Sequence, residues 1–432
     1  MIATTKIFDS IWWDDFLDKS NRMSKPAVFK DCLTKEETLF MRKSILQILQ
    51  ELANQRTTRY GYRVYVEEGK ILNRDEMSFI YDNPPNDDET LEEWWNRVFE
   101  DRNIGMIINQ GERFNLELSD MIAKKLSPLL KKTGIPTEGI IFTLFIGNYD
   151  STPLGIHLDL PGKNVIHFHL GPGSKTIYTW DDTEKYVKMA GESSQNNKDL
   201  ETYLPLASKH DFSEGDLFCM PEDTYHIGTQ DGLSIGIACW CNNRSKYDFV
   251  EKLISMLMDQ YLKKDDNIYI RDPKNNLKPD NNPLEDSSFL DSTLQEWVNF
   301  PEGYEKLPFN EVLKEIYKNL RYSLHSNAGY RTSPFPLEKD FDFKPKDMIQ
   351  LIPPYVIQYR ESLNKEKLYI YVRGALLGFN NYECVVNFIN EINKGEKIAV
   401  KELLNMLDPS WDKEVGFYIL NLIYKHHGIK VE

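Results

Sequence analysis

Gly155-Ile156-His157-Leu158-Asp159 opens, and Gly215-Asp216-Leu217-Phe218-Cys219-Met220-Pro221 with Tyr225-His226 closes, the stretch whose reading decides the fold. Five of the eight histidines lie in it: His157, His167, His169, His210 and His226. Just before it, residues 140–146 form a near-continuous apolar run whose one hydroxyl is Thr143, and Gly147-Asn148-Tyr149-Asp150 punctuates it as a turn. Inside it come a strand around His157, a strand over 164–170, a break at Gly171-Pro172-Gly173, and a strand over 175–180. Three more short strands read out at 216–220, 224–227 and 233–241. Many short strands separated by Gly and Pro predict a mainly β fold with helical additions, a closed barrel or double-sheet jelly roll.

The flanks differ. Helical apolar spacing covers residues 8–20, 35–54 and 115–132, with strands at 25–30, 60–66 and 106–109 and a loop at 83–90. Residues 190–200 are polar and read as loop. Past Cys241 the pattern turns helical over 249–262, 289–299 and 309–324, around a Lys-, Asp-, Asn- and Pro-rich linker at 263–287. After a loop over 325–345, residues 346–432 read as a small module with helices at 382–392, 400–407 and 413–425 and a strand-like tail at 428–431. The expected units are 1–245, 246–345 and 346–432.

The net charge of −15 argues against nucleic acid or an anionic membrane as the main partner. The 346–432 module holds eleven Lys and Arg against eleven Asp and Glu, a balance that favours docking of protein or peptide over nucleic acid. Five cysteines without a Cys-x-x-Cys pair suggest reduced thiols. No signal-like apolar run or stretch of ~20 apolar residues is present, so a soluble, cytoplasmic protein is expected.

His157 and Asp159 are two apart, which on a strand puts both side chains on one face. With His226 arriving from a distant strand, two imidazoles and one carboxylate would hold a metal and leave its opposite face open, the ligand set of non-haem ferrous oxygenases. Lys175 would supply a cation for a co-substrate carboxylate, and Thr143 a hydroxyl for the same group. Bland readings stand beside these: a chance His-x-Asp pair, a surface lysine, an ordinary β-branched strand residue. His167 and His169 alternate on one strand and read equally as hydrogen-bond donors behind the ligands, as substrate contacts, or as core histidines.

From Lys25-Pro26-Ala27-Val28 to Cys241 the order of elements resembles the Jumonji-C oxygenases of the cupin superfamily, in particular the ribosomal-oxygenase branch. His157-Leu158-Asp159, the Gly171–Lys175 turn and the Gly-Asp, Pro, His226 hairpin carry that resemblance. It implies a double-stranded β-helix barrel, a helical dimerisation segment and a C-terminal winged helix. It implies Fe(II) on His157, Asp159 and His226, with Lys175 on the 5-carboxylate of 2-oxoglutarate. Thr143 stands where that branch often has asparagine, and the segment from Asp159 to Lys175 is a few residues longer than the pattern. The activity implied is 2-oxoglutarate-dependent hydroxylation of a side chain in a protein or peptide, by a homodimer. The alternatives are a cupin metalloenzyme of another reaction type, to which His167 or His169 would lend further ligands, and a non-catalytic barrel acting as a protein-interaction module.

Overall fold

The computed structural model describes residues 6–66, 69–159, 162–263, 283, 285–286, 298, 300 and 303–432. An N-terminal helix, Ser10–Lys19, starts where the Asp9 carboxylate accepts the Trp12 N–H, and it buries Trp13, Phe16 and Leu17. The helix Lys35–Asn54 opens on a full capping box, Thr34 with Glu37. Leu91–Phe99 opens on another, Thr90 with Glu93, and buries Trp94, Trp95, Val98 and Phe99. No element is expected there from the apolar spacing, although Thr-x-x-Glu before an aromatic run is the signature of a helix start.

Eight strands form one sheet: β1 (Ala27–Phe29), β2 (Arg63–Tyr65), β3 (Gly105–Asn109), β4 (Ile140–Gly147), β5 (Lys163–Trp180), β6 (Ser208–Phe212), β7 (Leu217–Met220) and β8 (Tyr225–Asn242). Their order is β1-β7-β5-β8-β4-β3-β2, with β6 also on β5, and the pairings are antiparallel. The apolar face of this sheet meets the N-terminal helices in one large core that includes Trp13, Phe142, Phe168 and Ile237.

Three local expectations are corrected. Gly171-Pro172-Gly173 does not end a strand. β5 runs straight through it, and the ladder with β8 slips between His169 and Gly171 and again between Pro172 and Ser174. This is a bulge, and Gly173 is required there because a Cβ would sit 2.1 Å from the Asp231 carbonyl oxygen. The two strands expected at 224–227 and 233–241 are likewise one, β8, because pairing with β5 resumes on both sides of Gly232 and Leu233, which lie opposite the bulge. The strand expected around His157 shrinks to isolated bridges, Ile156 to Asn197 and His157 to His226, and Asp159 lies outside any strand.

Past the sheet, the helices Lys246–Tyr261 and Phe309–Ser326 share a small core of Leu253, Tyr261, Val312, Ile316, Leu320 and Leu324. Nearly all of the helix expected at 289–299 and of the expected linker lies outside the described residues. The C-terminal residues have a core of their own, centred on Ile349, Ile370, Phe388, Leu403 and Leu420. Its helices Glu383–Asn393, Val400–Leu404 and Lys413–Lys425 fall where the apolar spacing puts them. Its strands β9 (Met348–Leu351), β10 (Gln358–Glu361), β11 (Lys367–Val372), β12 (Ala375–Asn380), β13 (Ile398–Ala399) and β14 (Ile429–Val431) form two three-stranded sheets. Of these, only the last strand was legible beforehand.

Arg373, at the β11–β12 turn, fastens this region to the sheet's helical cover. It is 2% exposed, pairs with Asp120 at 3.2 Å, and lies 3.3 Å from the centre of the Tyr355 ring. Arg373→Ala is expected to lower stability by about 3 kcal/mol, because it removes one half of a buried pair. Urea unfolding reads this directly, and an unchanged midpoint would contradict the role.

Candidate metal centre

The site grows out of the β5–β8 pairing. β8 begins with Tyr225 and His226, and the chain entering β5 passes back across them. His157 and His226 exchange both backbone hydrogen bonds, at 3.0 and 2.9 Å, which sets their rings 4.4 Å apart. Gly155 makes the approach possible. Its φ is +78°, and a Cβ there would lie 2.4 Å from the Asn197 carbonyl oxygen. The Gln195 amide then clamps Leu158 on both sides, accepting its N–H and donating to its C=O at 3.0 Å each. That clamp fixes the backbone between His157 and Asp159.

Each imidazole is oriented from behind. His157 Nδ1 lies 2.8 Å from the Gly155 carbonyl and His226 Nδ1 lies 3.0 Å from the Thr224 carbonyl. A carbonyl only accepts, so each Nδ1 carries the proton and each Nε2 presents a lone pair. Burial, with His157 beside it, lowers the His226 pKa and keeps that ring neutral. One ligand atom from each of His157, Asp159 and His226 falls within 4.8 Å of the others, and Asp159 Oδ2 lies 3.8 Å from His226 Nε2. Asp159 Oδ2 is buried without a hydrogen-bond partner. A bare carboxylate oxygen facing two imidazole lone pairs is unfavourable unless a cation joins them. The donor set and its orphaned oxygen therefore fit a divalent metal of the borderline class. Among the described residues this is the one group of three His, Cys, Asp or Glu so placed. His167 and His169 stay out of it.

The three side chains line a cavity of about 830 Å³, and Lys175, Thr143 and His167 line it too. Lys175 is 8% exposed and, among the described residues, has no ion pair or hydrogen bond; its Nζ lies 5.8 Å from the centre of the Phe145 ring. Burial pushes its pKa down to about 8. Thr143 of β4 is the register partner of Asn109 of β3 and donates to the Asn109 side-chain oxygen at 3.1 Å. Asn109 also lines the cavity and was not singled out for the site from sequence.

His167 and His169 share a face but not a role. His169 Nε2 is tied to the Gly173 carbonyl at 2.8 Å and braces the bulge. His167 reaches the cavity, and its Nε2 is buried with no partner. Gly236 on β8, whose register partner is His169, leaves room for the His167 ring, since a Cβ there would stand 2.3 Å from His167 Cε1. A glycine inside the apolar run of β8 is the sequence signal that could have picked out His167.

Comparison with known proteins gives little at the level of sequence: no protein-family profile and no curated protein matches the chain. Among solved structures, YcfD, a ribosomal oxygenase from Escherichia coli, aligns with a TM-score of 0.48 at 12% identity, covering 97% of this chain and 98% of that one. The same protein in complex with cobalt and succinic acid aligns equally well. In complex with cobalt and 2-oxoglutarate it aligns with a TM-score of 0.47, at the same identity and coverage. The sequence resemblance had pointed to the same class of oxygenase. At this identity and TM-score the chemistry rests on the chain's own residues.

His157→Ala, Asp159→Ala and His226→Ala are each expected to weaken Co(II) binding at least about tenfold while leaving the protein folded. Calorimetric titration with Co(II), alongside circular dichroism, reads both. Two variants that keep full affinity would remove the three residues as a metal site.

Proposed function

We propose that the chain is an Fe(II)- and 2-oxoglutarate-dependent oxygenase of the Jumonji-C class that hydroxylates a side chain of a protein or peptide. The observation that carries the reading is the joint placement of His157, Asp159 and His226 with an unpaired, buried Lys175 in one cavity. In this reading the eight-stranded sheet closes as a double-stranded β-helix. The units are 1–245 for the catalytic part, 246–345 for a helical dimerisation segment, and 346–432 for a winged-helix-like module that docks protein.

His157, Asp159 and His226 would hold a ferrous ion, whose chemistry when bound would be activation of dioxygen coupled to conversion of 2-oxoglutarate to succinate and carbon dioxide and to hydroxylation of a substrate C–H bond. Everything else is work for the protein. Lys175 neutralises the far carboxylate of the co-substrate, an ion pair formed out of water, where it is strong. The Thr143–Asn109 pair offers a hydroxyl and an amide to the same end of the cavity. With Nδ1 deprotonated, His167 Nε2–H would be a further donor to a bound carboxylate. The Gly155 and Thr224 carbonyls hold the two imidazoles in the tautomer a metal needs. The apolar walls from Phe145, Ile177 and Phe212 keep water out. That Lys175 is buried with nothing to pair with supports an anionic ligand over the non-catalytic alternative.

Lys175→Ala is expected to raise KM for 2-oxoglutarate about ten- to a hundredfold, as succinate formation would show. Because burial holds the Lys175 pKa near 8, wild-type KM should rise as pH climbs through and above that value and the ammonium is lost. A pH-independent KM between pH 7 and pH 9 would point away from this lysine.

The helices Lys246–Tyr261 and Phe309–Ser326 support the dimer. Tyr247, Val250, Met258 and Phe309 stand exposed on them, and such surfaces suit a two-fold, self-complementary contact. Light scattering should return about twice the chain mass of 50.6 kDa. A mass equal to one chain would exclude the dimer.

A further inference from the structure

We propose that the mouth of the cavity is built to hold an acidic segment of the substrate peptide, through a collar formed by Arg63, Lys163, Arg244, Lys252 and Arg331. This rests on the reading of the cavity as a substrate site and adds the chemistry of what approaches it.

All five cations line the same cavity. They come from separate parts of the chain. Arg63 opens β2, Lys163 opens β5, and Arg244 lies just past the end of β8. Lys252 sits in the helix Lys246–Tyr261, and Arg331 hydrogen-bonds through its N–H to the Ile140 carbonyl at the start of β4. In the register, Lys163 faces Asn242 and Ile140 faces Cys241, so the start of β5, the end of β8 and the start of β4 meet at one end of the sheet. Lys163 lies within electrostatic reach of Arg63, Arg244 and Arg331, and Lys252 of Arg244 and Arg331.

Such a gathering is out of keeping with a chain of net charge −15. The acids around it do not balance it. Glu138, 1% exposed, serves both Arg244 at 3.2 Å and Arg331 at 3.4 Å. Asp159 is near Lys163 but belongs to the metal centre. Asp259 faces Lys252, and Glu112 lies behind Arg331 with its carboxyl pushed up by burial to about 7. Among the described residues Arg63, Lys163 and Lys252 have no ion pair, and Arg63 Nε is buried without any partner. Burial lowers the pKa of both Lys163 and Lys252, so the two ammonium groups gain from any anion that docks. Half-buried cations of one sign around a concave mouth focus field and draw in a group of opposite sign.

The occupant favoured is peptide. A phosphodiester strand needs a long basic track, which a compact group of five cations does not supply. A compact collar matches one or two carboxylates set beside the side chain that enters the cavity. Lys163 also sits 5.3 Å from the centre of the Trp240 ring, an aromatic floor on which a peptide backbone can rest.

Fluorescence anisotropy with the full chain, free of metal and co-substrate, tests this separately from turnover. The probes are a short glutamate-rich peptide, its glutamine and lysine counterparts, and a single-stranded RNA of the same net charge as the glutamate peptide. The glutamate peptide is expected to bind at least about tenfold more tightly than the glutamine peptide, and more tightly than the RNA. The double variant Lys163→Gln with Lys252→Gln should lose about that factor, and Lys163→Arg with Lys252→Arg should keep it. Equal binding of glutamate and glutamine peptides, tighter binding of the RNA, or full affinity in the glutamine double variant would each overturn the proposal. So would displacement of the peptide by 2-oxoglutarate, which would make the collar a port for the co-substrate. Peptide binding without succinate formation in any assay would leave the collar standing and remove the oxygenase reading.

Discussion

The backbone bridge between His157 and His226 is the contact on which the rest depends. It joins the loop that carries one imidazole and the carboxylate to the strand that carries the other imidazole, and it does so through two peptide hydrogen bonds, not through the side chains themselves. The rings are therefore placed by the ladder before any metal arrives. The Gly155 and Thr224 carbonyls then fix which nitrogen faces inward. Ligands held from behind in this way lose little freedom on binding, which is how a pre-formed site gains affinity.

The cavity beyond the bridge carries an imbalance of charge. An orphaned carboxylate oxygen at Asp159, an unpaired ammonium at Lys175 and an unpartnered imidazole nitrogen at His167 are each unfavourable in a dry interior. Together they place a carboxylate and two imidazoles at one end of the cavity and an ammonium at the other. Three such groups gathered in one cavity are what the proposed metal and carboxylate would complete, at a local cost in stability. The fold can bear this because the aromatic core around Trp13, Trp94, Trp95 and Phe99 is dense and entirely separate from the cavity.

Much of this was written in the sequence. The helices at 10–19, 35–54, 116–133 and 413–425 follow their apolar spacing, because one-sided burial imposes a period of 3.6. Lys175 and Thr143 were named from residue type and position, and the structure puts both in the cavity with the three candidate ligands. What could not be read is what depends on pairing across the sheet. Gly171-Pro172-Gly173 looks like a strand end and is a bulge, because the partner strand β8 carries the ladder past it. Asn109 looks like the last residue of a strand and becomes a cavity residue through its register with Thr143. The basic collar is invisible in a composition dominated by acids, since its five members are scattered from Arg63 to Arg331 and meet only when the strand ends meet.

The central claim is that metal and 2-oxoglutarate occupy one continuous site, the first on His157, Asp159 and His226 and the second reaching from it to Lys175. Titration of 2-oxoglutarate into the protein with and without Mn(II) under anaerobic conditions tests it most directly. The account predicts tight binding when the metal is present and a large loss of affinity when it is removed, with the metal bound more tightly in turn when 2-oxoglutarate is present, by the same factor. Equal affinity for 2-oxoglutarate with and without metal would contradict it.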